Sequence, residues 1–337
     1  RLQVNQASPR DQVELTLYQL WRRLLLHPDI GIGDNFFDIG GTSISAIKLA
    51  HAIGEAFGES LPVRDIMLYP TIEALGGRLR HGASGQPPSN LIQFRAGTGR
   101  ANVICVHPAG GTGFCYLALA KVLPDSYGVY GIQSPGVNPG ETFLPSIEAM
   151  AESYLRLTAQ LQDGPVLLTG LSYGGLVAYE MGRRLAAAGH DELSVVLLDT
   201  LGTDNAEHRR EIAPVDLAEF RDKLVKFNGM YPGIDDRQIE QYFRIYNHNR
   251  LTMRDYLAPP GSARLVLLQA VANRDEEFLR EVREFWARRA PDELVVQYTD
   301  RDHWELLESD EVWRVAALFQ AELDRFGQPA LAERVTR

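Results

Sequence analysis

Ser172 sits at the centre of Gly170-Leu171-Ser172-Tyr173-Gly174, a G-x-S-x-G within the stretch LLTGLSYGGLVAYEM. A serine hydroxyl is a weak nucleophile at neutral pH, so it needs an imidazole base and a carboxylate to orient that base. Both follow in the chain. Asp199 ends the apolar run LSVVLLD, and His303 comes just after the last such run, in YTDRDHWELL. Read singly, Asp199 is a turn cap and His303 a loop histidine; serine, acid and histidine in order at the ends of apolar runs point to acyl transfer through a serine ester.

Such a reaction also needs donors for a tetrahedral oxyanion. The backbone N–H of Tyr173 is one candidate, and that of Ala109, in the loop HPAGGTG, is the other. His107 in the same loop is a rival base, but its place beside Pro108 at a strand end favours a structural or oxyanion-loop role. His248 in YNHNR reads as a polar residue of a covering segment. The spacing of His, Cys, Asp and Glu suggests no metal site, and HPAGGTG lacks the G-x-G-x-x-G of a dinucleotide loop.

A second serine has no base nearby. In FFDIGGTSIS, residues 36–45, two glycines and a threonine precede Ser43, and the apolar helical run ISAIKLAHAI begins behind it. A capping role would account for Ser43 in purely structural terms.

Elements must place these residues. Up to about residue 80 the pattern is helical: Ser8 and Pro9 suit a helix start, followed by an apolar face of Val13, Leu17, Leu20, Trp21 and Leu24. A second helix starts near Ser43 with Ile44, Ile47 and Leu49 inward. VRDIMLYP and TIEALGGRLR supply a third and fourth, which makes a small four-helix bundle. A Gly, Ser and Pro-rich stretch near residues 80–90 reads as a linker. Beyond it six β-rich runs (101–107, 127–132, 165–170, 193–199, 263–270 and 293–299) alternate with amphipathic helices, the rhythm of a mostly parallel sheet covered by helices. Between Asp199 and Arg264 only helical pieces occur, which makes about 201–260 a candidate lid. The expected domains are therefore 1–82, a linker at 83–90, and 91–337.

Composition narrows the function. The chain has 337 residues, 45% of them hydrophobic, enough for two unequal domains. Its 44 acidic against 34 basic side chains give a net charge of −10, which argues against nucleic acid as a partner. Cys105 and Cys115, in apolar segments, read as free thiols of a reducing, cytoplasmic protein. No apolar run is long enough for a membrane span. The first residue is Arg1, which suggests a piece of a longer protein.

DNFFDIGGTSISAIKL resembles the core of the peptidyl and acyl carrier domains of nonribosomal peptide and polyketide synthetases, commonly D-x-F-F-x-x-G-G-x-S. The larger part, with HPAGG, G-x-S-x-G and a late histidine, resembles the type I thioesterases that terminate such assembly lines and have an α/β-hydrolase fold. Together the likenesses span residues 8–80 and about 90–327. Thr42 stands where many carriers have His or Asp, and Arg301 and Asp302 replace the usual glycine-rich approach to the histidine. The resemblance implies 4'-phosphopantetheine on Ser43, attached by a phosphopantetheinyl transferase and carrying an acyl or peptidyl thioester. It implies upstream adenylation and condensation domains as partners. It also implies transfer of the acyl group to Ser172, with His303 as base and Asp199 behind it, then release by hydrolysis or macrocyclisation. The alternatives are a stand-alone serine esterase with an unrelated helical domain, and an inactive carrier or interaction module.

Overall fold

The computed structural model describes residues 12–25, 30–58, 61–80, 89–138, 140–226, 236–290, 294–308 and 310–327. The expected helix start at Ser8 and Pro9, most of the linker, and residues 227–235 of the expected lid lie outside them. The chain divides into two compact units, residues 1–89 with 221–238, and residues 90–220 with 239–337.

The helices of the first unit are α1 (Gln12–Leu25), α2 (Ser43–Phe57), α3 (Val63–Leu68) and α4 (Ile72–Arg80). α1 buries Leu17, Leu20 and Trp21, and the indole meets Phe36 edge-on at 4.9 Å between ring centroids. The buried stripe of α2 is Ala46, Leu49, Ala50 and Ile53, spaced as one helical face. Ile44 and Ile47, expected inward, are half-buried because they lie on the neighbouring face. Gly58 closes α2 in the left-handed conformation, its N–H donating to Gly54 O, and the Thr71 hydroxyl accepts from Ala74 N at the start of α4.

The second unit is built on a seven-stranded sheet. Its strands are β1 (Leu91–Arg95), β2 (Asn102–Val106), β3 (Gly128–Ile132), β4 (Val166–Leu171), β5 (Leu193–Leu198), β6 (Arg264–Ala270) and β7 (Leu294–Thr299). They lie in the order β1-β3-β2-β4-β5-β6-β7. All neighbours are parallel except β1, which runs antiparallel to β3 at one edge. β3, β4 and β5 are buried at every position, since helices cover both faces of the sheet.

The remaining helices are α5 (Leu117–Val122), α6 (Ile147–Leu157), α7 (Tyr173–Ala187), α8 (Ala206–Arg210), α9 (Leu217–Lys226), α10 (Asp236–Asp255), α11 (Glu276–Ala287) and α12 (Glu311–Asp324), all in this unit save α9 from Arg221 and α10 up to Gln238, which fall in the first. α5 and α12 share one core with Val103, Leu167, Val196 and Val266. α7 lies on the opposite face so closely that a Cβ at Gly182 would come within 2.3 Å of Val195 Cγ2. α8, α9 and α10 fill the interval between β5 and β6. Its far end is tied down by Tyr256, whose hydroxyl donates to the buried Glu180 carboxylate of α7 at 3.0 Å.

Candidate active site

Ser172 is the single residue between the end of β4 and the start of α7, with φ 56° and ψ −120°. Such a backbone conformation costs a non-glycine residue about 1–3 kcal/mol and persists only where the surroundings enforce it. They do so by close approach: a Cβ at Gly170 would lie 2.0 Å from Gly174 C, one at Gly174 2.4 Å from Val106 O, and one at Gly175 1.8 Å from Thr200 Oγ1. Gly175, outside the five-residue pattern, is as constrained as the glycines within it. Beneath the turn, Tyr116 Oη donates to Val106 O at 2.8 Å and accepts from Leu171 N at 2.6 Å, which locks the ends of β2 and β4 together.

The next strand supplies the acid. Ser172 N donates to Leu198 O, and Asp199 N, one residue on, donates to Leu268 O, both at 2.8 Å. The Asp199 side chain is fully buried and its Oδ2 accepts from His303 Nδ1 at 2.5 Å. Asp199 and His303 are thus brought together, and the ring nitrogen facing away from Asp199 is left for a reacting group. No hydrogen bond joins Ser172 Oγ to His303 among the described residues. The His303 turn is built by Asp302, whose Oδ1 accepts from Trp304 N at 2.8 Å and from Glu305 N at 3.2 Å. An Asx turn does here what glycines do elsewhere.

Arg274, absent from the residues expected for this site, grips the same carboxylate. Its Nη1 and Nη2 reach Asp199 Oδ1 and Oδ2 at 2.5 and 2.6 Å, and Ala270 N donates to Oδ1 at 3.1 Å. Burial pushes the Asp199 carboxyl up, but the hydrogen bonds and charges of His303 and Arg274 outweigh it and hold the group below the ordinary aspartate value.

His107 is buried and not available as a base. Its Nδ1 faces Pro108 O at 2.9 Å and its Nε2 faces Tyr154 Oη at 2.7 Å. A carbonyl can only accept, so Nδ1 carries the proton and Nε2 accepts from the tyrosine. Burial lowers this imidazole to about 4, so it is neutral at pH 7. Its ring stacks on Tyr173 at 5.9 Å.

Tyr173 is the first residue of α7, so its N–H has no partner within the helix. Ala109 lies in the loop after β2, and its carbonyl accepts from Asn249 Nδ2 of α10 at 2.9 Å. His248, one residue before, reaches Leu144 O at 2.7 Å and stacks on Phe143. Among the described residues no group of three or more His, Cys, Asp or Glu could hold a metal ion.

Ser43 occupies a different kind of site. It is the first residue of α2, half-buried, and its hydroxyl makes no hydrogen bond among the described residues. Thr42 is the cap: its Oγ1 accepts from Ser45 N at 3.2 Å while Ser45 Oγ accepts from Thr42 N at 2.7 Å. The two glycines before it have separate duties. Gly40 has φ 103° with open space around it; at Gly41 a Cβ would come within 2.3 Å of Phe36. With no acidic residue in the first turn of α2, the positive helix end and the free hydroxyl fit a phosphate ester.

A mostly parallel sheet with a strained serine between strand and helix, and an Asp–His pair formed by the end of the next strand and the turn after the last one, is the arrangement of the α/β-hydrolase class. The chain belongs to the thioesterase domain family, which its residues 101–323 match, and residues 16–79 match the phosphopantetheine attachment site family. A dimodular nonribosomal peptide synthase of Bacillus subtilis (strain 168) is 34% identical over 197 residues, 58% of this chain and 8% of that protein. Indigoidine synthase of Streptomyces lavendulae is 34% identical over 185 residues, 54% of this chain and 14% of that one. This chain therefore spans a small part of these relatives. A four-domain nonribosomal peptide synthetase, solved in its holo form with AMP and glycine, is similar with a TM-score of 0.61 and 26% identity, over 98% of this chain and 27% of its own. The Vlm2 thioesterase domain, bound with a dodecadepsipeptide, shares the fold (TM-score 0.57, 22% identity, 70% of this chain and 98% of that one).

Among the described residues no helix is long and apolar enough to cross a membrane.

Proposed function

We propose that this chain is the releasing end of a nonribosomal peptide synthetase, with Ser43 the attachment point of phosphopantetheine and Ser172 the acyl acceptor. When bound, the prosthetic group supplies a thiol that holds the acyl or peptidyl chain as a thioester. Ser172 Oγ attacks the thioester carbonyl as His303 takes its proton, and Asp199 holds the imidazole and stabilises its charged form. The developing oxyanion receives the N–H groups of Ala109 and Tyr173. His303 returns the proton to the departing sulfur, which leaves an acyl-O-Ser172 ester. Water, or a hydroxyl or amine of the same acyl chain, then attacks that ester to give an acid or a ring. Upstream adenylation and condensation domains and a phosphopantetheinyl transferase are the partners this role requires.

The observation that carries the reading is the 2.5 Å Asp199–His303 pair, set at the sheet edge beside the strained Ser172. Intact-mass measurement of the phosphopantetheinylated, acyl-loaded protein tests it. The Ser172→Ala variant is expected to keep its load for hours while the parent loses it; rapid release from the variant overturns the assignment.

A further inference from the structure

The donors proposed for the oxyanion belong to two separate segments, the loop 108–111 and the first residue of α7. A single face of α10 reaches both. Asn249, fully buried, donates from Nδ2 to Ala109 O at 2.9 Å and lies 3.5 Å from Ser134 Oγ. Three residues on, Thr252 Oγ1 sits 2.8 Å from Tyr173 Oη. The threonine hydroxyl also donates to Asn249 O at 2.9 Å, and the tyrosine hydroxyl donates to Met150 Sδ at 3.0 Å. Four residues before Asn249, Ile245 packs on Gly111: a Cβ there would come within 2.5 Å of Ile245 Cγ2, and Gly111 has φ 87°. Gln241 continues the same stripe and donates to Gly136 O and Val137 O at 2.7 and 3.0 Å. Residues 241, 245, 249 and 252 recur at the spacing of one helical face.

Apolar side chains on that face would cover the sheet end as well, yet two of the inward positions are polar and bound to the neighbours of the donor N–H groups. Asn249 Oδ1 is moreover buried with no partner among the described residues. An unpaired buried acceptor offsets part of what the bond to Ala109 O contributes to the fold.

We propose that Asn249 and Thr252 are positioning residues that hold Ala109 and Tyr173 in register as a donor pair, so that acyl transfer requires α10 in place. α10 then holds the two oxyanion donors together, and its displacement switches off the chemistry. This inference rests on the assignment of Ser172 and its two donors.

Asn249→Leu and Thr252→Val test it, since each keeps the side-chain volume and removes the hydrogen bond. In the full chain, with an acyl pantetheine thioester as substrate, kcat is expected to fall about 10- to 100-fold with KM within about threefold. The rate at which a fluorophosphonate labels Ser172 is expected to fall in proportion, because the phosphonyl oxygen uses the same donors. The melting temperature of Asn249→Leu is expected to fall modestly, since Ala109 O loses its donor, so kcat is read on protein shown to be folded. A folded variant with kcat within twofold of the parent overturns the proposal, as does a kcat loss that only tracks a lower folded fraction. If Asn249→Leu does not fold, Thr252→Val decides by the same readings. Ser172→Ala separates the two levels: if it retains turnover the active-site assignment fails, whereas an inert Ser172→Ala beside fully active Asn249 and Thr252 variants removes only the role of α10.

Discussion

Arg274 changes how the Asp199–His303 pair must be understood. The carboxylate is shared between an imidazole and a guanidinium, and both partners hold it ionised against the cost of burial. A carboxyl held below its ordinary value stays charged as the pH falls, and this advantage lessens when one cation is removed. Arg274→Gln is therefore expected to move the acidic limb of the kcat/KM profile to higher pH, because the buried Asp199 then takes up a proton earlier. At pH 7 the loss is expected to be about tenfold, through weaker orientation of His303, and to deepen as the pH falls. A pH profile that superimposes on the parent's rules this out. Arg274 could not be picked out from VANRDEEF, because Asp275, Glu276 and Glu277 offer it nearer partners along the chain. Its actual partner lies 75 residues away and is chosen by the packing of β5 against β6. Ser172 and Asp199 stood out in the sequence for the opposite reason: each directly follows a strand buried on both faces, which is written as an unbroken apolar run, whereas His303 lies in a turn four residues beyond β7.

Among the elements, α2 shows how neighbouring hydroxyl residues divide their tasks. Thr42 and Ser45 satisfy each other's N–H groups, a complete capping box with serine as its third residue. Thr42→Ala is expected to lower the stability of α2 by about 1 kcal/mol, and Ser43→Ala to leave it unchanged within about 0.5 kcal/mol. Amide hydrogen exchange across residues 44–50 measures both, and equal loss of protection in the two variants contradicts this division. The helices of the first unit could be read from their apolar spacing, though the inward face of α2 only in part: Leu49 is buried as expected, but the buried alanines at 46 and 50 carry little hydropathy signal beside the half-buried Ile44 and Ile47. β1 escaped for a related reason. It is five residues long, with Gln93 exposed and Phe94 half-buried, so neither an apolar run nor a clean alternation marks it beside the polar linker. Nothing in the sequence singles out Asn249 and Thr252, because composition cannot show that a polar side chain faces a carbonyl or a tyrosine hydroxyl contributed by another element.

In the molecule as a whole, the proposed function gives two serines complementary duties, one in each unit. Ser43 has a hydroxyl without hydrogen bonds at a positive helix end; Ser172 has an enforced backbone at a sheet edge. Separate duties predict separable defects. Ser43→Ala is expected to gain no mass on incubation with coenzyme A and a phosphopantetheinyl transferase, yet to cleave an acyl pantetheine thioester supplied in solution at a rate within about twofold of the parent. Ser172→Ala is expected to show the reverse, with loading intact and cleavage lost. Intact mass and thiol release, measured on both variants, check the pair. A Ser43→Ala protein that still gains the mass places the attachment elsewhere.

The capping box at Thr42 and Ser45 has a last consequence for turnover. An attachment residue that also held its helix together would disturb the fold whenever it was esterified. Here the helix is closed by the residues on either side, so on the proposed function a bare, charged or discharged Ser43 would leave the backbone scaffold the same. A modifying enzyme would meet a finished helix end, and each round of loading and release would begin from the same shape.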